Sequence, residues 1–418
     1  MAFPQKIYPK PDRLPTHSNP TKHTMTKSTF RRFPHRGNGF KATASLLLLT
    51  LLLALGSPTI QAAIVPAAPD IDARGYVLID YASGHVIAEK KANERMEPAS
   101  LTKMMSAYII LDELKHKKIG LSDKVLISEK AWRMPGSRTF VEVGKRVDVE
   151  TLLKGMIIQS GNDATVALAE HVAGDEAVFA TMMNQTAAKL GMTGTHFVNS
   201  TGLPDPDHYT TARDMVMLAR ALIHDFPSHY SWYSTKKFTY NGITQYNRNK
   251  LLWRDDSVDG LKTGHTDSAG YCLVASAKRD NMRLVSVVLG AKSEDARARE
   301  SQKLLNYGFR FFESHRLYAP REALTTVRVW KGEAAEVALG LAQEMIITIP
   351  RGEYDNLQAT MKIQPNITAP VNKGASYGSV VVSLDGDVIA EAPLIALGDV
   401  AEGGLFQSLK DEILLMFE

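Results

Sequence analysis

The period of the apolar residues changes twice along this chain, and that order limits the fold more than any other feature. Tyr76-Val77-Leu78-Ile79 and His85-Val86-Ile87-Ala88 flank Ser83-Gly84, the pattern of two strands and a turn. From Ser100 to Leu114 the spacing becomes helical, with Leu101, Met104, Met105, Tyr108, Ile109 and Leu111 apolar. Pro98 stands just ahead, where a helix start tolerates proline. Further helical stretches follow at 149–158, 163–172, 175–190 and 212–223. Strands return at 271–277 and 284–289, joined by the polar Lys278-Arg279-Asp280-Asn281, and 301–312 reads as a closing helix. This order suits an α+β fold in which the first and last segments share one antiparallel sheet between helical layers.

After Pro320 the texture shifts. Residues 321–400 are rich in Val, Ile, Thr, Gly and Pro in short alternating runs, as around Asp385-Gly386, which predicts a small all-β domain. Gly403-Gly404 then frees a tail, 403–418. Leu405, Phe406, Leu409, Ile413, Met416 and Phe417 recur there at helical spacing, widened by Leu414 and Leu415. Gln407, Lys410, Asp411 and Glu412 lie largely opposite. Such a helix is too short to span a bilayer but suits its interface. Docking of the apolar face on the protein's own surface is the alternative. Only Lys410 is positive, and anionic lipids would repel Asp411, Glu412 and Glu418, so apolar burial must dominate any membrane contact.

The opposite end reads as a targeting segment. Leu46 to Leu55 is an apolar run too short to span comfortably, preceded by basic residues and followed by Gly56, Pro58 and Gln61-Ala62-Ala63. That is the pattern of a secretory signal over 1–63 with cleavage near Ala62 or Ala63, with an uncleaved anchor as the alternative. Export is therefore expected, with the body outside the cytoplasm. The net charge of +4 owes much to the first 41 residues, and no basic stripe elsewhere argues for nucleic acid. Cys272 is the sole cysteine, which excludes an intrachain disulfide and a Cys-rich metal cage. In an apolar strand it reads as a small buried hydrophobe.

Three motifs carry chemistry. Ser100-Leu101-Thr102-Lys103 places a hydroxyl and an amine on one helix face. Serine is a weak nucleophile until a base takes its proton, and an amine serves if burial and a nearby cation lower its pKa. Alone the pattern is weak, since roughly one or two such pairs are expected by chance at average composition. Indeed Ser234-Thr235-Lys236-Lys237 repeats it without the apolar stripe. Ser160-Gly161-Asn162 falls between two helices, where glycine permits a turn that exposes both side chains, although a helix cap would read the same. Lys262-Thr263-Gly264, continuing His265-Thr266, puts a charge and a hydroxyl beside a glycine that admits close approach; a solvated strand edge is the bland alternative. The three in this order form the set of penicillin-binding proteins and serine β-lactamases.

The chain resembles the low-molecular-mass penicillin-binding proteins, specifically D-alanyl-D-alanine carboxypeptidases of the penicillin-binding protein five type. Glu97-Pro98-Ala99-Ser100-Leu101-Thr102-Lys103-Met104-Met105, Gln159-Ser160-Gly161-Asn162-Asp163-Ala164, Asn247-Arg248-Asn249-Lys250-Leu251-Leu252-Trp253 and Val258-Asp259-Gly260-Leu261-Lys262-Thr263-Gly264-His265-Thr266 carry it, with Val288-Leu289-Gly290-Ala291. The resemblance implies a transpeptidase-like catalytic domain over 71–315, a β-rich domain over 321–400 and an amphipathic membrane anchor over 403–418. It also implies peptidoglycan stem peptides as substrate, acylation by β-lactams, no cofactor, no metal, and a place at the periplasmic face of the inner membrane. It assigns Ser100 as nucleophile and Lys103 as its base, under the influence of burial and Lys262, with Ser160 relaying a proton to the leaving amine. Backbone N–H groups of Ser100 and His265 would hold the oxyanion. Asn162 would bind the peptide, and Lys262, Thr263, Gly264, His265 and Arg297 would surround the terminal carboxylate, with Arg299 a competing choice for the last. Two departures stand out: Met134 to Glu142 is shorter than the family's segment there, and Cys272 replaces an expected asparagine, which would bear on sensitivity to thiol reagents. An endopeptidase on the same residues is the nearest alternative. A class A β-lactamase would need a Glu-x-x-Leu-Asn run between Ser160 and Lys262, which is missing. A non-catalytic cell-wall-binding module would need a broken motif.

Overall fold

A computed structural model describes residues 4–5 and 65–417; the signal-like segment lies outside the described residues, apart from Pro4–Gln5. The expected shared sheet is present. Strands β1 (Gly75–Asp80) and β2 (Val86–Lys90) precede the helices, and β3 (Val258–Thr266), β4 (Gly270–Arg279) and β5 (Met282–Ala291) follow them. They pair antiparallel in the order β2-β1-β5-β4-β3, so the last strand before the closing hairpin forms one edge.

Alternation along these strands splits the core in two. Val77, Ile79, Val285, Val287 and Leu289 face a layer built from helices α1 (Lys103–Lys115), α2 (Asn162–Ala173), α3 (Glu176–Lys189) and α4 (Ala212–Asp225). Tyr76, Leu78, Leu284 and Val288 face helix α5 (Glu294–Phe311) through Leu304 and Leu305. A sheet covered on both faces must be apolar on both, which is why β1 is buried along its whole length. The closing helix begins at Glu294, seven residues before the apolar pattern starts, because Ser293 caps it by accepting from the Ala296 N–H at 3.0 Å. The stretch expected as one helix at 149–158 is α-helical over Val149–Lys154 and widens to a π-turn over Gly155–Gln159.

From Phe311 the chain passes directly into strand β6 (Phe312–Tyr318), which pairs with β9 (Met345–Pro350). The second sheet orders β10 (Leu357–Ile363), β11 (Ser376–Leu384), β12 (Asp387–Ala396), β8 (Glu336–Leu341) and β7 (Thr325–Arg328), with Pro4–Gln5 at the outer edge of β10. It has its own core around Leu339, Ile347, Val380, Val382 and Leu394. Hydroxyls tie this part to the first sheet: Ser314 Oγ donates to Asp80 at 2.7 Å and Ser83 Oγ meets Thr348 Oγ1 at 2.6 Å.

Helix α6 (Leu405–Leu415) closes the chain. Its polar side is the docked one. Asp411 is buried and accepts the Lys331 N–H at 2.7 Å, with Arg328 at 3.8 Å, and Glu412 pairs with the Lys331 ammonium. Leu405, Phe406, Leu409, Ile413, Met416 and Phe417 are exposed, Phe406 to 93%. Among the described residues no helix is long and apolar enough to cross a membrane.

Candidate active site

Ser100 sits in a 3-10 turn, Ala99–Thr102, that leads into α1. The turn is unusual at Ala99, whose φ of 46° is in the left-handed region. Two glycines make room for it. A Cβ on Gly264 would lie 2.8 Å from the Pro98 carbonyl oxygen, and one on Gly202 would lie 1.8 Å from that of Ala99. Glycine at 264 therefore lets the edge strand β3 press against the nucleophile's turn.

Lys103 Nζ lies 3.0 Å from Ser100 Oγ and donates to the Thr201 carbonyl at 2.7 Å. The side chain is 1% exposed. Burial is the main reason its pKa falls to about 7, and the Arg248 charge adds to the effect while Asp163 opposes it. An amine so placed is largely available as a base near neutral pH.

Across the cleft stand Ser160 and Lys262, both buried. Lys262 Nζ donates to Ser160 Oγ at 2.9 Å and to the Thr263 carbonyl at 3.0 Å. Burial pushes the Lys262 ammonium well down, and Lys103, Arg248 and Arg297 push the same way. Ser160 ends the π-turn with φ 70° and ψ 31°, a left-handed conformation that costs on the order of 1–3 kcal/mol away from glycine and aims its hydroxyl at the cleft. Asn162 begins α2; its Nδ2 donates to the Pro135 carbonyl at 2.6 Å while its buried Oδ1 has no partner.

Thr263, Gly264, His265 and Arg297 line the same cleft, about 540 Å³ in volume, with Ser100, Ser160 and Asn162. Arg297 is buried, donating to the Gly264 carbonyl at 3.1 Å, whereas Arg299 is 56% exposed and pairs with Glu300. Arg297 lines the cleft and Arg299 does not. The second Ser-x-x-Lys pattern is outside the cleft lining, and Ser234 only donates to the Ser231 carbonyl. Cys272 is fully buried and burial raises its thiol to about 11, in keeping with its reading as a small buried hydrophobe.

Several residues that support the cleft carry no sequence signal. Asn199 Oδ1 gathers the N–H groups of Thr201, Gly202 and Leu203 and so shapes the loop whose Thr201 carbonyl holds Lys103. His208 is buried beneath it. Val198 N–H donates to its Nδ1 at 3.1 Å, so the proton is on Nε2, which donates to Thr102 Oγ1 at 2.8 Å. Burial lowers its pKa to about 4, keeping it neutral. The short segment 134–142 is pinned by Asp163, whose carboxylate accepts from the N–H groups of Thr139, Phe140 and Val141. This fixes Gly136 and Ser137 at the rim. Among the described residues no group of three or more His, Cys, Asp or Glu could hold a metal ion.

Comparison with known proteins agrees with this arrangement. Residues 62–293 match the family model of peptidase S11, D-alanyl-D-alanine carboxypeptidase, and residues 312–402 match that of the penicillin-binding protein 5 C-terminal domain. The chain is 47% identical over 358 residues to D-alanyl-D-alanine carboxypeptidase DacC of Escherichia coli, covering 84% of this chain and 90% of that protein. Its fold matches penicillin-binding protein 5 of Haemophilus influenzae with a TM-score of 0.79 at 43% identity, over 81% of this chain and all of that one. Penicillin-binding protein D2 of Listeria monocytogenes, solved in an ampicillin-bound form, matches with a TM-score of 0.54 at 29% identity, over 58% of this chain and all of that one.

Proposed function

The chain belongs to the peptidase S11 family of D-alanyl-D-alanine carboxypeptidases, and from that premise we infer how its residues remove the terminal D-alanine from peptidoglycan stem peptides. The observation that carries the reading is the pairing of Ser100 with a buried, pKa-lowered Lys103, faced across the cleft by Ser160 on Lys262. Ser100 Oγ attacks the carbonyl carbon between two D-alanines as Lys103 Nζ takes its proton. The Ser100 and His265 backbone N–H groups stabilise the oxyanion. The C–N bond then breaks as the proton that Lys103 took from Ser100 is relayed through the Ser160 hydroxyl to the departing amine, which leaves Ser160 neutral and Lys103 ready to accept the proton of the incoming water. Water attacks the acyl-enzyme and restores Ser100.

Asn162 holds the peptide through its unpaired Oδ1. The substrate's carboxylate lies against Lys262, Thr263, Gly264, His265 and Arg297. A carboxylate arriving beside Lys262 favours its charged form. The same chemistry lets β-lactams acylate Ser100, since their amide presents the same carbonyl. The corresponding division of the chain is a catalytic domain over 71–315, a β-rich domain over 321–400 and an anchor over 403–418.

The finer location is the periplasmic face of the inner membrane, held peripherally by α6. Support comes from which face of that helix is occupied. Asp411 and Glu412, the groups anionic lipid would repel, are turned onto Lys331 and Arg328, while the apolar side is bare. A pentapeptide stem incubated with the purified mature protein is expected to lose one alanine, as read by product mass. Cleavage confined to cross-linked stems, with the free pentapeptide intact, would favour the endopeptidase reading.

A further inference from the structure

We propose that Tyr271 is a positioning residue for carboxylate recognition, clamping His265 and Arg297 into one rim. The proposal rests on Arg297 binding the carboxylate. Tyr271 and His265 are opposite partners across the β3–β4 hairpin. Their ring centroids lie 4.0 Å apart at an interplanar angle of 30°, a tilted cross-strand ring contact of the kind that restrains both side chains. The Arg297 guanidinium carbon lies 5.6 Å from the Tyr271 centroid, within cation–π range. All three line the cleft.

The need for a clamp follows from where these groups come from. His265 is an exposed residue on the edge strand, and Arg297 comes from α5 on the far layer. Arg297's polar partners are the Gly264 and Arg248 carbonyls and Glu294. The two carbonyls lie at 3.1 and 3.4 Å, and Glu294, at 3.4 Å, competes for the same cation that a substrate carboxylate must reach. A ring packed beside the guanidinium favours one plane for it without occupying its donors. The phenol hydroxyl has no part in this, so the aromatic face alone is required.

The test is steady-state kinetics on a D-Ala-D-Ala peptide for the wild type and Tyr271→Ala, Tyr271→Leu, Tyr271→Phe and Arg297→Ala. Tyr271→Ala and Tyr271→Leu are expected to raise KM about tenfold with kcat changed less than about threefold, and Tyr271→Phe to restore KM. Leucine fills the space, so it separates loss of the ring from loss of packing if the alanine variant folds poorly. Wild-type KM in Tyr271→Leu, a defect in Tyr271→Phe equal to that of Leu, or a fall in kcat with KM unmoved would each overturn the clamp. If Arg297→Ala leaves KM unchanged, the carboxylate assignment itself fails; if Arg297→Ala raises KM and Tyr271→Leu does not, only the clamp fails.

Discussion

Lys103 shows how one residue's surroundings set the working pH. In the proposed mechanism its neutral form is the base, and its pKa lies near 7 because burial penalises the ammonium. The neutral fraction grows as pH rises through that value. Acylation by a β-lactam is therefore expected to climb about tenfold per unit below pH 7 and level off above it. His208 titrates near 4 and so does not supply this limb. Stopped-flow acylation across about pH 5–11 checks it; a midpoint near the ordinary lysine value would contradict the assignment. Lys103→Arg keeps the charge but cannot shed its proton, and is expected to be inactive throughout.

At the scale of elements, the motifs were legible because each combines residue chemistry with fixed spacing: Ser100 to Lys103 on one helix face, Gly264 on a strand pressed against a neighbour. The shared sheet was legible from the order of periods. What escaped has physical causes. The loop 198–203 acts through the Thr201 carbonyl, and a main-chain group leaves no mark on residue type. The first turns of α5 hold Glu294, Asp295, Arg297, Arg299 and Glu300, which hide the apolar stripe, although the Ser293 cap was available to be read. The hairpin at Lys237–Tyr240 and Ile243–Tyr246 was likewise signalled by Asn241-Gly242. Asp163, directly after Ser160-Gly161-Asn162, holds the rim by three backbone N–H groups. Asp163→Ala strands these donors and is expected to destabilise the protein by roughly 2–4 kcal/mol, measured by urea unfolding. A change below about 0.5 kcal/mol would show that the rim finds other partners.

For the whole molecule, the docked acidic face and bare apolar face of α6 make the proposed attachment separable from catalysis. Deleting residues 405–418 is expected to move the mature protein to the soluble fraction while small-peptide hydrolysis stays within about twofold of wild type. Retention on membranes by the truncated protein would assign attachment elsewhere. The central claim is that Ser100 is the nucleophile, and intact-mass measurement after incubation with penicillin tests it most directly. Wild type and the decoy variant Ser234→Ala are expected to gain the mass of one β-lactam, and folded Ser100→Ala none, since Thr102 Oγ1 is buried on His208 and Ser106, the nearest hydroxyl on the same helix face, is buried and donates to the Ser200 carbonyl at 2.6 Å. A full β-lactam adduct on folded Ser100→Ala would contradict the account.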